Sequence, residues 1–445
     1  MPQSPAEDLG TRTVRRISLR LMPFLFVLYV IAYLDRVNVS FASLQMTHEL
    51  GLSAEQYGFA AGVFFLGYFL LEVPCAVLVE TWSARRLIAR IMVTWGLLAA
   101  ATGFVQNATQ LNLIRFALGM AEAGFFPGML IYLSNWFRAA DRAKAIAMFM
   151  AAIPLSEALG APVSAALMKL DWLGMAGWRW LLILEGLPAV LLGFVTLFYL
   201  TDRPHQAKWL KPEERDWITS ELAKDAASHP RSGHSLRAMW SGMSDPRTML
   251  LMLTYFSALC ASYGILMWLP KILKSLPGMS VTMATLLTAV PFAVAVPAGI
   301  LAGFHSDKTG ERRWHAVLAS ATVGAALAAM PTLASAAPML IALFAVAVSA
   351  NSAQRGPFWA IATTNQSGTA RAAAVGLINS FGNLGGFVGP FVVGWITKRT
   401  GGYEGGLYYL AVMAGIAACA VLAASMAGIR QQPRSEPLPA PGVRT

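Results

Sequence analysis

The sequence predicts an all-α membrane protein with twelve transmembrane helices in two six-helix bundles. Three observations predict it. Apolar stretches of about 20 residues recur along the chain, basic residues crowd onto alternate loops, and the loop after the second stretch returns, altered, after the eighth. Composition agrees. Of 445 residues 56% are hydrophobic and only 13% charged, where a soluble domain carries about 25% charged residues. Charge is scarce because most of the chain sits in a medium that penalises it.

The stretches fall at 21–43, 55–79, 86–104, 110–135, 143–168, 179–200, 248–271, 281–304, 314–332, 337–364, 371–397 and 405–428. Helices are expected because each span must satisfy its own backbone polar groups; the short alternating segments of a membrane barrel are absent. The chain divides into an N-terminal arm (1–20), a first bundle (21–200), a polar central loop (201–247), a second bundle (248–428) and a tail (429–445). Within the loop, KPEERDWITSELAKD reads as a surface helix with Pro212 in its first turn. The tail, QQPRSEPLPAPGVRT, reads as disordered. Arg12, Arg15, Arg16 and Arg20 before an apolar run superficially suggest a cleavable signal, but the run continues past Asp35 and Arg36 and many spans follow.

Lysine and arginine set the orientation. Twenty-five of the 34 lie in the arm, the central loop, the tail and the even-numbered loops; six lie on the other side, and Arg36, Arg115 and Arg355 fall inside spans. Both termini are therefore expected in the cytoplasm, with the protein multi-pass in the inner (plasma) membrane. The net charge of +11 follows from this bias, so the expected partner is a lipid bilayer and not nucleic acid. Cys75, Cys260 and Cys419 lie in apolar stretches with no CxxC or histidine spacing. They read as small core residues, with no metal site.

The repeated loops are EVPCAVLVETWSARR and GILAGFHSDKTGERR. The second, with Gly303, Asp307, Lys308, Gly310, Arg312 and Arg313, resembles the signature loop of the major facilitator superfamily in every position. The first is degenerate: Glu80, Thr81 and Ser83 stand where an acid (usually Asp), a basic residue and a glycine are usual. YLDRVNVS, GYFLLEVP, RFALGMAEAGFFPG, YGILMWLPKIL and NSFGNLGGFVGP narrow the resemblance to the anion:cation symporter family. That family carries organic anions such as sugar acids, tartrate, phthalate and hydroxylated aromatic acids. The likeness covers all but the ends of the chain, and nothing in it singles out one substrate.

Asp35 and Arg36 sit about fourteen residues into the first span, roughly 21 Å from its start at 1.5 Å per residue. Each charge at that depth costs at least about 2.5–3.5 kcal/mol, so it needs a partner or a cavity. Arg115 and Glu122 are two turns apart on the fourth span and share a face, with Gly119 between them. If the first and fourth spans face one another, two acids and two arginines meet in a dry cavity; a static ion pair locking helices is the plainer alternative. Arginine suits an anionic guest because it is always charged and forks onto carboxylates. The resemblance implies a division of roles: Asp35 and Glu122 carry protons, Arg36 binds the substrate carboxylate, and Arg115 is the electrostatic partner of the acids. It also implies a proton gradient as the driving force, with sodium less favoured, and no cofactor.

Arg355, in SAQRGPFWA near the middle of the tenth span, could offer the second bundle's grip on another carboxylate, beside a helix break at Gly356–Pro357; a snorkelling interfacial arginine is equally open. Position within the matched motifs adds Tyr33, Tyr68 and Trp359, for which packing is an open alternative. It also adds Asn379 and Asn383, to which interhelical hydrogen bonding is equally open. Glu72 and Glu185 read as structural, and Glu157 departs from the family pattern. GNLGGFVGP lies inside a membrane helix and lacks the lysine of a phosphate loop; close helix packing accounts for it.

No metal-spaced His/Cys cluster and no nucleotide loop appears, so no catalytic residues and no enzyme activity are expected. The function expected is symport-type uptake of a small organic carboxylate by a monomer. The alternatives are a metabolite or drug exporter on the same fold, faintly suggested by GAPVSA, and a non-transporting membrane ligand sensor, for which a large appended domain would be expected.

Overall fold

The computed structural model describes residues 5–228, 245–333, 336–363 and 368–430. Fifteen α-helices run through the described residues: α1 (Pro5–Glu49), α2 (Ala54–Thr81), α3 (Ala84–Thr102), α4 (Ala108–Glu122), α5 (Phe125–Ser134), α6 (Ala139–Met150), α7 (Ala152–Leu167), α8 (Gly177–Tyr199), α9 (Pro212–Ser228), α10 (Pro246–Lys274), α11 (Val281–Thr309), α12 (Arg313–Leu333), α13 (Ala337–Thr363), α14 (Gly368–Thr400) and α15 (Glu404–Arg430). Ten spans are long and apolar enough to cross a membrane; α2 and α3 complete the expected twelve.

Three boundaries differ from the sequence reading. The arm is not separate, because α1 begins at Pro5. The surface helix α9 holds its basic face: Arg16 donates to Glu214 at 2.8 Å and Arg12 to Glu213 at 3.4 Å. The fourth span breaks into α4 and α5 at Gly124, whose φ of +91° no other residue type adopts readily. The fifth is interrupted at Ala151 between α6 and α7. By contrast α13 runs unbroken past Gly356 with Pro357 buried inside it, so the expected break beside Arg355 is absent. Most of the tail and residues 229–244 of the central loop lie outside the described residues.

The repeat seen in sequence reappears in the packing. In the first bundle α1 packs on α7, α2 on α4 and α3 on α8; in the second, α10 packs on α14, α11 on α13 and α12 on α15. These are the same pairings displaced by six spans. Between bundles α2 meets α14, α7 meets α11 and α1 meets α10.

The bundles touch asymmetrically. On the face opposite α9, here the far face, Tyr57 donates to the Met267 carbonyl at 2.7 Å, Lys271 to Thr47 at 2.8 Å and Lys398 to Glu55 at 2.6 Å. Glycine makes this closure tight. A Cβ on Gly62 would stand 2.7 Å from the Phe387 carbonyl oxygen, and one on Gly58 or Gly394 would collide with the backbone of Pro390 or Ala54. One buried core spans both bundles there. On the α9 face the cores are separate: one surrounds Trp95, Tyr132 and Trp136 in the first bundle, the other Ile361, Ile378 and Val421 in the second. The interior is thus shut on the far face and parted on the α9 face.

Candidate functional site

The charges of the first and fourth spans converge inside the first bundle. Asp35, Arg115 and Glu122 are each 2% exposed, so none faces lipid. Arg36 forms an ion pair with Glu122. The α1 and α4 backbones are not a closely packed pair; the long arginine side chain bridges them across the edge of α2. Arg36 also lies over three rings, with centroids at 5.0 Å for Tyr33, 5.6 Å for Phe64 and 5.8 Å for Tyr68. Those rings face a cation that would otherwise be poorly solvated. Arg115 sits 5.1 Å from the centroid of Phe64, and its Nε donates to the Ala60 carbonyl at 3.5 Å.

Asp35 takes no arginine among the described residues. Its Oδ2 accepts from Trp95 Nε1 at 2.7 Å and its Oδ1 from Asn38 Nδ2 at 3.1 Å. Arg115 makes no ion pair within 4.0 Å among the described residues, so its action on the acids is at longer range. Gly119 has a definite reason: a Cβ there would collide with the Phe64 carbonyl oxygen, so α2 can lie against α4 only over a glycine. Sequence reasoning missed Trp95 and Asn38. Asn38 had a signal, being one turn after Asp35 in YLDRVNVS; Trp95 had none.

The remaining residues gather between the bundles. Arg355 on α13, in the second bundle, lines a cavity of about 60 Å³ with Glu157 of α7, Ser262 of α10, and Asn351 and Ser352 of α13. Its side chain is exposed. The Tyr33 ring centroid lies 5.0 Å from Arg36, and Tyr263 of α10 packs across the bundle boundary against Phe65 at 4.3 Å between ring centroids. Tyr263 opens YGILMWLPKIL but was not picked out from sequence. Trp359 packs edge-on to Tyr255 at 5.1 Å; Tyr33 packs edge-on to Tyr29, and Tyr68 is buried beside Phe64.

Of the two alternatives open to Asn379 and Asn383, interhelical hydrogen bonding is the one seen. The amides of Asn379 and Asn383 are already engaged, donating to Glu72 Oε1 at 2.6 Å and Oε2 at 3.3 Å. They join α14 to α2 across the two bundles and are not free ligands in this conformation. Glu72, read from sequence as structural, thus links the two bundles. Its partners lie 307 and 311 residues away, beyond any local sequence signal. Glu185 on α8 is also unusual: it is buried, and neither carboxylate oxygen has a hydrogen-bond partner among the described residues.

The loop between α11 and α12 is ordered by its own residues. Asp307 pairs with Arg312, whose Nη1 also donates to Ser306 at 3.3 Å. Gly310 ends α11 at φ +70°, a left-handed position that favours glycine. Lys308 is exposed, Arg313 stacks on Trp314, and nothing approaches the position of a Gly303 Cβ within 4 Å. The equivalent loop in the first bundle borrows its acid: Ser83 and the Arg85 backbone N–H donate to Asp202, at 2.7 and 2.9 Å, from beyond α8.

Comparison with known proteins agrees with this architecture. The chain is 46% identical over 419 residues to a protein of Agrobacterium vitis named "Putative tartrate transporter", covering 94% of this chain and 96% of that one. It is 36% identical over 409 residues to a "Quinolone resistance transporter" of Acinetobacter baumannii, covering 91% and 93%. Its fold matches the crystal structure of a bacterial homologue of the human lysosomal transporter Spinster, inward-facing and occupied, with a TM-score of 0.77 at 18% identity over 92% of this chain and 97% of that one. The family model described as Major Facilitator Superfamily matches residues 25–390 and 278–444. On that match and on the six-span repeat, the chain belongs to the Major Facilitator Superfamily of membrane transporters.

Proposed function

We propose that this transporter carries a small organic carboxylate inward together with protons, as a monomer in the inner membrane with the α9 face and both termini in the cytoplasm. The observation that carries the reading is the Arg36–Glu122 pair, set among Tyr33, Phe64 and Tyr68. A fixed cation is neutralised there by the one kind of group that a proton can switch off. Protonation of Glu122 releases Arg36, whose fork accepts the guest carboxylate bidentately. In the second bundle Arg355 takes a second carboxylate, which favours compact hydroxy diacids of the kind named for the Agrobacterium relative. Asp35, held by Trp95 and Asn38, is the second candidate carrier of a proton.

With the α9 face cytoplasmic, the conformation described is inward-facing: guest and proton leave through the parted side while the far face stays shut. Alternating access follows if the bundles then rock about the buried charges.

The test is uptake into proteoliposomes by Glu122→Gln. Uptake driven by a pH gradient should be lost, while exchange of labelled for unlabelled tartrate, which needs no net proton movement, persists. Gradient-driven uptake at the wild-type level would remove Glu122 from the coupling. Replacing the proton gradient by a sodium gradient separates the two coupling ions. Efflux is a second reading, favoured by the relative named for quinolone resistance. It predicts that drug, not tartrate, exchanges for protons in the same vesicles.

A further inference from the structure

We propose that Glu157 is a further proton-carrying acid, matched to Arg355, and that it takes up one proton whenever the cavity accepts a second carboxylate. This rests on the symport reading above and specifies how that site handles a dianion.

The two groups come from opposite bundles and line one cavity, Glu157 from α7 and Arg355 from α13. Neither makes a salt bridge within 4.0 Å among the described residues. They share that cavity without an ion pair between them. Arg355 is the charged group acting on Glu157, and Glu157 is the anion acting on Arg355. The other groups around Arg355 are the phenols of Tyr33 on α1 and of Tyr255 and Tyr263 on α10. From α11 the cavity receives only Phe292 and Ala295. The charged groups of α1 and α8 have other company: Arg36 holds Glu122, Asp35 holds Trp95 and Asn38, and Glu185 lies toward Asn38. The cavity therefore holds one cation and one anion and nothing else that carries charge.

A guanidinium cannot shed its proton in a protein, so Arg355 stays positive throughout. When the distal carboxylate of a diacid forks onto it, two anions would face one cation in a space with little water. One must be neutralised. A carboxyl beside a hydroxyl is a stronger acid than a glutamate side chain, so the proton goes to Glu157. It arrives from the outer aqueous side as the guest enters and binds a carboxylate oxygen of Glu157. It leaves to the α9 side with the guest, after which Glu157 again balances Arg355. A monoacid, held at Arg36 alone, leaves the Glu157–Arg355 couple untouched. The proton count thus follows the number of carboxylates on the guest.

The measurement is the final accumulation ratio in proteoliposomes containing the full chain, with the membrane potential clamped at zero and a gradient of one pH unit. Tartrate is the two-carboxylate probe and glycerate the one-carboxylate probe. The ratio is an equilibrium ceiling and does not depend on the rate of transport. Losing one proton per turnover lowers it about tenfold, so Glu157→Gln should reach a tartrate ceiling about tenfold below wild type, with Glu157→Asp restoring it and the glycerate ceilings equal. Equal tartrate ceilings in Glu157→Gln and wild type overturn the assignment while leaving symport standing. A wild-type protein that accumulates neither probe in response to the gradient overturns symport, and this proposal with it. If Glu157→Gln does not transport, calorimetry in buffers of different ionisation enthalpy counts the protons taken up on tartrate binding. One fewer than wild type supports the proposal, and an equal number overturns it.

Discussion

Replacing Gly62 by alanine should open the far face. The new Cβ would stand 2.7 Å from the Phe387 carbonyl oxygen and 2.9 Å from its Cα, where ordinary contact begins at 3.4 Å. Both neighbours are backbone of a long helix and cannot rotate aside. To clear the oxygen, α2 and α14 must separate by about 0.7 Å. Overpacking of this kind costs about 1–3 kcal/mol, and the cost falls only on the state in which the two helices touch. The closed-to-open ratio should therefore shift by about 5- to 150-fold. Spin labels at Leu173→Cys and Ser275→Cys report it, since both positions are exposed on far-face loops of opposite bundles. The three native cysteines are removed first. Pulsed distance measurements should show a longer component growing in Gly62→Ala. Gly376→Ala, on the same α14 with nothing within 4 Å of its Cβ position, should leave the distribution unchanged. A folded Gly62→Ala protein with the wild-type distribution would refute the reasoning.

Arg355→Ala should weaken tartrate binding far more than glycerate binding, by about 1.5–3 kcal/mol for the lost charge-assisted contact; isothermal titration of both probes checks it. Trp95→Phe removes the indole donor to Asp35 Oδ2 and leaves that oxygen unmet in a buried site, lowering stability by about 1–3 kcal/mol, readable as a fall in thermal midpoint. The docking of α9 should depend on pH. Burial pushes the Glu214 carboxyl up, but the Lys211 backbone N–H and the Arg16 guanidinium outweigh it and hold the group below the usual glutamate range. With the folded value depressed, its contribution is present above the unfolded value of about 4.3 and is lost as pH falls through the folded one. Hydrogen exchange along α9 should quicken over that acid interval in wild type, and a Glu214→Gln variant should exchange faster already at neutral pH.

The spans were legible because a bilayer imposes length and apolarity on every crossing, and the Lys/Arg bias fixed their alternation. The six-span repeat was legible because Arg85–Arg86 and Arg312–Arg313 end equivalent turns. The burial of Asp35, Arg36, Arg115 and Glu122 could be argued from the expense of charge in hydrocarbon. Their pairing could not. Spacing puts Arg115 and Glu122 on one face of α4, but whether Arg36 or Arg115 reaches Glu122 depends on how close α2 brings its rings, which Gly119 decides through a contact with Phe64. The Glu72 bond to Asn379 and Asn383 was hidden for the same reason: it joins two halves of the chain that share no local pattern. The break at Gly124 did leave a trace in AGFFPG. Glycine with a proline three residues later is a sign that a long apolar run changes direction.

The discontinuity in the fourth span has a mechanical meaning. Its two rods share α2 and α3 as neighbours in different proportion: α4, carrying Arg115 and Glu122, leans chiefly on α2, while α5 leans chiefly on α3 and reaches α6. Glu122 is the last residue of the upper rod, and the glycine two positions later is the joint. On the coupling proposed above, gaining or losing a proton at Glu122 would apply its force at the end of a lever, next to the break in the helix. An uninterrupted rod would have to tilt as a whole against all its neighbours. On that proposal, the joint would let a change at a single carboxyl swing one half while the other stays seated.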